Sequence, residues 1–479
     1  MNKASFSSLR FYAIAAAWLG LTGCALVTVE KNPATPFSDQ TAYAAPVPTD
    51  RTGALSAPGY DDPALHALVD TALETNLTLA GARARMRQAE FITDEAGAAL
   101  WPTIGGSGDY TQIVPLDGVS SGASRGTGIA SFAPDFAGRR RAAARAARRE
   151  AFAAVGDFEL ARLEIAHAVA DAYYDAGEAR RSLALIEAQI KSTESFAQLA
   201  EQRFAQGVGG ASNALQQREL AASIRAQRPA AETALALAES RLDVLLGQVP
   251  DNAADGPDIL PGAPPAAAAG APLELIARRP DIAASRERLI AADYRVAEAI
   301  ASAFPDIVLS ATATGPSFQV GGGFQSANTI ISAFVAEITQ TVYEGGARRA
   351  RRRQSRAAFD EALAAYADTW LSAIAAVHDD LVRDDRQRQQ VELLEARENA
   401  ARSAYEAAKM SYAFGAADFL NVLTAQQSLL TAESDTLTAR RERLRLHGDL
   451  LESLGAYPDG TLIDTASLPT QSDAERAQS

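Results

Sequence analysis

The sequence predicts a mainly α-helical fold with a small β part, built from two copies of one unit, and three observations predict it. A glycine-centred turn occurs at residues 204–215 and again at 412–423, which lie 208 positions further on. Each turn joins long stretches rich in Ala, Arg, Glu and Gln, a composition typical of long helices. Each half also contains short segments in which polar and apolar residues alternate, as they do in β-strands.

Gly207 and Gly415 are the centres of the two turns. Glycine reaches left-handed backbone conformations at little steric cost, so each is expected to end one helix. Ser212 or Asp418 would then cap the next helix with its side chain. Each turn is therefore predicted to be the tip of a helical hairpin. One such turn alone would be interpreted as purely structural, and its duplication is what favours a functional role.

The first 60 residues predict a targeting signal followed by a tether. Residues 1–23 resemble a bacterial lipoprotein signal peptide that ends in Leu21-Thr22-Gly23-Cys24. Cys24, the only cysteine, is the predicted site of lipid attachment, and Ala25 after it implies the outer membrane in the resembled pathway. An ordinary signal peptide with a chance cysteine is the alternative. Residues 24–60 are rich in proline and are predicted to form an extended tether.

Long helices account for most of the two predicted repeats. Apolar seams such as Tyr366, Trp370 and Ile374 indicate coiled-coil-like packing, while the polar stretch 384–390 is predicted to be a solvated turn or two. A linker and a mobile polar tail complete the predicted organisation. The predicted segments are repeat 61–250 with helices at about 61–100, 138–206 and 211–247, linker 251–272, repeat 273–458 with helices at about 273–303, 346–414 and 418–455, and tail 459–479.

Strand-like segments occupy about 103–136 in the first half and 306–342 in the second, joined by Gly- and Ser-rich loops at about 115–126 and 315–328. Each predicted strand is about ten residues long, which is enough to span an outer membrane when tilted. Four strands cannot close a barrel, and an open sheet edge is not tolerated in lipid. Either the strands lie in water or several chains pool them into a pore.

Several motifs resemble one known family over about residues 20–460. They are Arg278-Arg279-Pro280-Asp281-Ile282, Phe304-Pro305, the segment Tyr343 to Arg348, and the segment Leu245 to Pro250. Together with the duplicated order of elements, they resemble the TolC-like outer-membrane efflux proteins, specifically the NodT-type lipoproteins of tripartite pumps.

The resemblance implies a homotrimer in which each protomer gives four strands to a shared twelve-stranded β-barrel, above a periplasmic α-helical barrel. The chain would then be a passive exit duct for small molecules such as drugs. Its implied partners are an inner-membrane transporter of the RND type and a periplasmic adaptor that meets the tips at Gly207 and Gly415.

Family members often carry aspartates after the tip, where they surround the periplasmic aperture. The matching positions here are Asn213 and Asn421, with Thr424 one turn on and Asp418 close by. The resemblance therefore implies an aperture with little acidic character. The alternative is that these side chains only cap and pack the helices.

Arginines follow each predicted hairpin, beginning with Arg139 and Arg140 in the first half and Arg348 and Arg349 in the second. In the resembled fold they lie where the chain leaves the barrel and could contact phosphates of outer-membrane lipid. A solvated helix start is an equally good interpretation.

Other functional classes are disfavoured. A formal charge of −14 argues against a nucleic-acid partner. The four histidines lack metal-ligand spacing, and the elbow-like segment Gly118 to Gly122 is not followed by a helix, so we expect neither an enzyme nor any cofactor beyond the lipid on Cys24. Protein secretion or metal-ion efflux by the same architecture remains open. From another class, so does a periplasmic coiled-coil adaptor or structural lipoprotein.

Overall fold

The computed structural model describes residues 58–114, 121–207, 209–250, 256–257, 260–262, 264, 276–315, 318–320, 331–416 and 418–463. The predicted signal peptide, Cys24, most of the tether and the linker, and the tail beyond residue 463 lie outside these residues. The prediction of a mobile tail from 459 is wrong for its first residues, since Ile463 is buried and its N–H donates to the Gly455 carbonyl at 3.2 Å. The chain divides into two compact units. The sheet unit contains Ala96–Ala146 and Ile290–Phe359, and the helical unit contains the other described residues.

Long helices match the predicted ones closely. In α3 (Arg139–Ala205) and α6 (Ala347–Ala413), each of 67 residues, both ends agree with the prediction to within one residue. At 1.5 Å per residue each is about 100 Å long. The described helices are α1 (Pro63–Thr75), α2 (Leu77–Ala98), α3 (Arg139–Ala205), α4 (Ala211–Leu245), α5 (Pro280–Ala301), α6 (Ala347–Ala413) and α7 (Phe419–Ser453).

The prediction of one helix at 61–100 is wrong, because the chain breaks at Asn76 between α1 and α2. The Asn76 carboxamide oxygen accepts from the backbone N–H groups of Thr78 and Leu79 at 2.8 and 3.1 Å, while its Nδ2 donates to the Leu245 carbonyl at 2.8 Å. These local bonds compete with continuous helix, which is why asparagine favours such breaks. The start of α5 also differs from the predicted 273: it lies at Pro280, a residue suited to a first helical turn.

The prediction that the polar stretch 384–390 is solvated is wrong in part. α6 continues through this stretch, Asp384 is buried, and the Gln387 side chain donates to the Ala439 carbonyl at 3.0 Å. Arg386 and Gln390 in the same stretch are exposed, so polarity alone did not distinguish the residues that face α7 or the interior from those that face water.

The described strands are β1 (Thr103–Ile113), β2 (Ser121–Phe132), β3 (Asp306–Thr314), β4 (Phe318–Val320) and β5 (Ile331–Thr339). They form one antiparallel sheet in the order β1-β2-β3-β5, with β4 pairing to β2. β2 ends before Pro134, which has no N–H for the ladder. Both predicted loops are corrected in part, since β2 begins within the loop predicted at about 115–126 and β4 lies within the one predicted at 315–328. β4 pairs with residues 122–124 of β2, beyond the part of β2 that β3 covers.

The register of the sheet separates an apolar face from a polar one. Ile104 pairs with Ala130, Ala130 with Ala311, and Ala311 with Phe334, so these four side chains form one row on the same face. Ile104 and Phe334 are both 86% exposed. The adjacent row on the opposite face contains polar side chains, among them Ser131 paired to Ser310. The row from Ile104 to Phe334 is therefore apolar, and its two end side chains are uncovered within the described residues.

A buried core in the helical unit holds residues 58–60 against α7. The Tyr60 hydroxyl donates to the Leu444 carbonyl at 2.6 Å, and His447 Nε2 donates to the Pro58 carbonyl at 2.8 Å. His167 Nε2 donates to the Ala456 carbonyl at 2.8 Å. Burial lowers the pKa of His447 and lowers that of His167 to about 4, so both rings are neutral at pH 7.

Candidate functional site

The two tips share one backbone geometry. Gly207 has a φ of 74° and Gly415 a φ of 73°, the left-handed conformation that only glycine adopts readily. Their N–H groups donate to the carbonyls of Phe204 and Tyr412 at 2.9 and 3.0 Å, which ends α3 and α6 at equivalent positions. Both helical hairpin tips are therefore confirmed at the glycines that predicted them.

The predicted aperture residues lie at the starts of the returning helices. Asn213 is on α4 and is half-buried, whereas Asp418, Asn421 and Thr424 begin α7 and are exposed. The N–H groups of Asn213 and Asn421 donate to the carbonyls of Gly210 and Asp418 at 3.1 and 3.2 Å, so their backbones are equivalent.

The predicted side-chain caps are not formed. Gly210, rather than Ser212, is the N-cap residue of α4. Asp418 is the N-cap of α7, but its side chain makes no cap hydrogen bond. An exposed carboxylate beside a helix N-terminus still interacts favourably with the helix dipole, so a direct bond is not required there.

Sequence reasoning missed an aromatic cluster beside the second tip. The rings of Phe196, Tyr412 and Phe419 lie 5.7 to 6.0 Å apart between centroids, and all three are buried. The Arg203 guanidinium lies 4.6 Å above the Tyr412 ring, and its Nη1 donates to the Tyr412 carbonyl at 3.0 Å. The available signal was a mismatch between the repeats, since Phe419 corresponds to Ala211.

A buried polar layer lies near this cluster. Gln217 Nε2 donates to Gln426 Oε1 at 3.3 Å, and Gln426 Nε2 donates to the Thr193 hydroxyl at 3.1 Å. A buried polar network fixes the register of packed helices, because any slip leaves amides without partners. The layer therefore links α3, α4 and α7 and favours one register among them.

The predicted membrane-interface arginines are partly engaged by carboxylates. Arg139 and Arg140 both bond Asp306, at 3.0 to 3.2 Å. The Arg348 Nε donates to Glu344 at 3.3 Å, whereas Arg349 is exposed. The structure thus brings Arg139 and Arg140 together on one acidic partner.

Two further properties bear on the site. Among the described residues, no helix combines the length and the apolar character that crossing a membrane requires. In the same part of the chain, no three His, Cys, Asp or Glu side chains are arranged to hold a metal ion.

An apolar row on the sheet, together with helices of about 100 Å that end in glycine turns, is the arrangement expected of an outer-membrane channel protein. Comparison with known proteins identifies the family. A sequence model of the outer membrane efflux protein family matches residues 68–248 and 271–456. The chain therefore belongs to the outer membrane efflux protein family, which confirms the predicted family.

Individual relatives agree with this assignment. The chain is 29% identical over 464 residues to outer membrane protein OprJ of Pseudomonas aeruginosa, covering 91% of this chain and 94% of OprJ. It is 30% identical over 416 residues to the pyoverdine export outer membrane protein OpmQ of Pseudomonas putida, covering 83% and 86%. The structure of the outer-membrane channel OprN superposes with a TM-score of 0.78 at 27% identity, over 91% of this chain and 100% of OprN. The predicted TolC-like fold is thereby confirmed.

Proposed function

We propose that this protein is the outer-membrane exit duct of a tripartite efflux pump, through which small molecules pass passively. The uncovered apolar row from Ile104 to Phe334 carries the proposal. Placing this face against lipid removes it from water, at about 25 cal/mol for each Å² buried. Family membership and the export activity named for OpmQ support a small-molecule cargo.

Three copies of the chain form the duct. β1 and β5 are the two edges of the sheet, and an unpaired edge in lipid leaves backbone groups without hydrogen bonds. Pairing β1 of one protomer with β5 of the next satisfies both edges. Three copies of the path β1-β2-β3-β5 give twelve strands, a number within the range of closed outer-membrane barrels.

The tips at Gly207 and Gly415 contact a periplasmic adaptor, which connects the duct to an inner-membrane transporter of the RND type. Both tips are accessible, since among the described residues the space that a Cβ on either glycine would occupy is open. The aperture between the protomers is lined by Asn213, Asn421 and Thr424, with Asp418 beside them. Amides in place of carboxylates give this ring weak affinity for cations.

Two contacts hold the duct in the outer membrane. Lipid on Cys24 anchors the N-terminus, and Arg139, Arg140, Arg348 and Arg349 face phosphates where the strands end. No cofactor beyond this lipid takes part, and the protein is not an enzyme.

Planar-bilayer recording on the purified, lipidated protein tests the proposal. We expect a trimer in detergent, as measured by native mass spectrometry, and stepwise conductance after insertion. A monomer, or a trimer that conducts nothing, would overturn it. Asn421→Asp then tests the aperture: added carboxylates are expected to increase selectivity for cations over anions, and an unchanged reversal potential would remove Asn421 from the conducting path.

A further inference from the structure

A small cavity lies in the sheet unit where the strands end. Its volume is about 160 Å³, and residues 134–140, 301–306 and 339–348 contribute its walls. Sites for drug-sized ligands usually enclose about 300 to 1,000 Å³. This cavity is therefore too small for a transported drug and suits a compact polar group.

Charges of both signs line the cavity. Arg139, Arg140 and Arg348 are its cations, and Asp135, Asp306 and Glu344 are its anions. Arg140 donates from both terminal nitrogens to the two oxygens of Asp306, at 3.1 and 3.2 Å. The lining is thus formally neutral, which favours a ligand that itself carries both charges over a simple anion.

Glu344 is the carboxylate that can accept a further hydrogen bond. Its Oε1 accepts from Arg348 Nε at 3.3 Å. Its Oε2 is buried and makes no hydrogen bond within the described residues, since the Arg351 Nη1 at 3.6 Å is too distant for one. A buried carboxylate oxygen without a donor is costly, so an N–H donor from a ligand would relieve that cost.

The opposite side of the cavity suits a phosphate. The Arg139 side chain is 41% exposed although it bonds Asp306, so it remains accessible to a second anion. α3 and α6 begin beside the cavity with arginines and no acidic residue in their first turns. At the α3 start the Asp135 carboxylate already accepts from the backbone N–H groups of Arg140 and Arg141, at 3.2 and 2.8 Å. An incoming phosphate would therefore be attracted mainly by the exposed Arg139 side chain and by the arginine-rich start of α6.

Apolar side chains complete the rim. Phe136 and Phe304 line the cavity and are both exposed. Exposed aromatic rings beside a charged pocket match the arrangement of a phospholipid, in which the charged headgroup is joined to apolar chains.

We propose that this cavity binds the headgroup of a phospholipid that carries a primary ammonium, such as phosphatidylethanolamine. Its phosphate contacts Arg139 and Arg348, and its ammonium donates to Glu344 Oε2. The inference rests on the proposed function, which locates this end of the sheet at the membrane. It adds that the site selects its lipid by the hydrogen-bond donors of the headgroup rather than by net charge.

Native mass spectrometry of the full-length trimer in detergent tests the preference. The delipidated protein is titrated with phosphatidylethanolamine, phosphatidylcholine and phosphatidylglycerol of identical acyl chains. Methylation removes the N–H donors of the ammonium, so we expect phosphatidylcholine to bind at least about tenfold more weakly. Equal affinity for these two lipids, or tightest binding of phosphatidylglycerol, would overturn the proposal.

Three variants assign the contacts. Glu344→Gln should remove the preference for phosphatidylethanolamine over phosphatidylcholine, whereas Glu361→Gln, at an exposed position on the same helix, should keep it. Arg139→Gln should weaken the binding of all three lipids alike, and it leaves Asp306 its bonds to Arg140. Retention of the preference by Glu344→Gln would exclude Glu344 as the ammonium acceptor.

Two controls distinguish headgroup recognition from simple anion binding and from loss of the duct itself. Competition by inorganic phosphate as effective as that by glycerophosphoethanolamine would indicate an anion site and not a headgroup site. Conductance of Glu344→Gln in planar bilayers reports on the duct. A variant that conducts normally but has lost its lipid preference supports both proposals, and a conducting wild type without lipid preference overturns only this one.

Discussion

The two halves of the chain make the same turn but pack it differently. Gly207 and Gly415 have nearly identical φ angles, and the N–H groups of Asn213 and Asn421 make equivalent bonds. Yet Tyr412 is 5% exposed, whereas its counterpart Phe204 is 51% exposed. Around the second tip, Phe196 and Phe419 complete an aromatic cluster, and both correspond to alanines in the other half.

The difference in burial between the two tips shows that different residues determine the backbone conformation of the turn and the packing around it. A glycine and its neighbours determine the turn wherever the sequence repeats. Which tip is buried depends on side chains contributed by other helices, and those have diverged between the halves. We therefore expect the tips to respond alike to backbone changes and differently to side-chain truncation.

The largest effect is expected from Phe419→Ala. Removing a buried ring that stacks on Phe196 leaves a cavity, which typically costs about 3 to 5 kcal/mol. Phe204→Ala at the exposed position should cost less than about 1 kcal/mol. Hydrogen exchange of tip peptides, followed by mass spectrometry, measures the free energy of local opening in both variants. Equal losses would contradict the proposed asymmetry.

A second difference concerns buried histidine. His167 on α3 is buried, whereas the equivalent position in the second half is the exposed Ala375. Burial lowers the pKa of His167 from its usual 6.5 to about 4, so the unfolded chain binds the proton first. The stability that His167 contributes is therefore complete above pH 6.5 and is lost as pH falls towards 4.

Comparison with His167→Gln isolates this contribution. Between pH 7.5 and pH 4.5 the wild type should lose about 3 kcal/mol of unfolding free energy relative to the variant. Burial also raises the pKa of Glu452 to about 7, and that effect has the opposite sign, but it is common to both proteins and cancels. Denaturant titration at the two pH values provides the measurement. His378→Gln, at the less buried histidine of α6, is the control, and a constant difference between wild type and His167→Gln would contradict the prediction.

A smaller and equal effect is expected from alanine at the two glycines. Both have positive φ and open space around a new Cβ, so Gly207→Ala and Gly415→Ala should each cost about 1 kcal/mol, all of it conformational. Hydrogen exchange at the tips again gives the value. A difference above about 1 kcal/mol between the variants would show that packing contributes to the turn itself.

The smallest effect is expected at the helix starts. The Asp418 side chain makes no cap hydrogen bond, so Asp418→Ala should lose only the favourable interaction with the helix dipole, about 0.5 kcal/mol. Ser212→Ala should be close to neutral. Destabilisation by about 1 kcal/mol or more at Asp418, measured by the same exchange experiment, would indicate a cap that forms in solution.

Much of the fold could be predicted from local signals. Glycine placement predicted both tips, and the long apolar seams predicted α3 and α6 to within one residue. Alternation at Ile307, Leu309 and Ala311 predicted a face that the register confirms. These features depend on residues close together in the sequence.

What the sequence did not reveal depends on distant partners. Asn76 breaks a helix partly by bonding the Leu245 carbonyl, 169 residues away. Asp384 is polar yet buried, and the Gln387 side chain bonds the Ala439 carbonyl of α7. The cavity at Glu344 brings together both hairpins, so no single stretch of sequence contains its signal.

The attachment of residues 58–60 to the helical unit gives the N-terminal segment a fixed inner end. His447 holds the Pro58 carbonyl, and Tyr60 reaches the Leu444 carbonyl. From Cys24 to Pro58 the chain can extend at most about 120 Å, given about 3.5 Å per residue. The length of this segment therefore sets an upper limit on the distance between Pro58 and the proposed lipid anchor at Cys24.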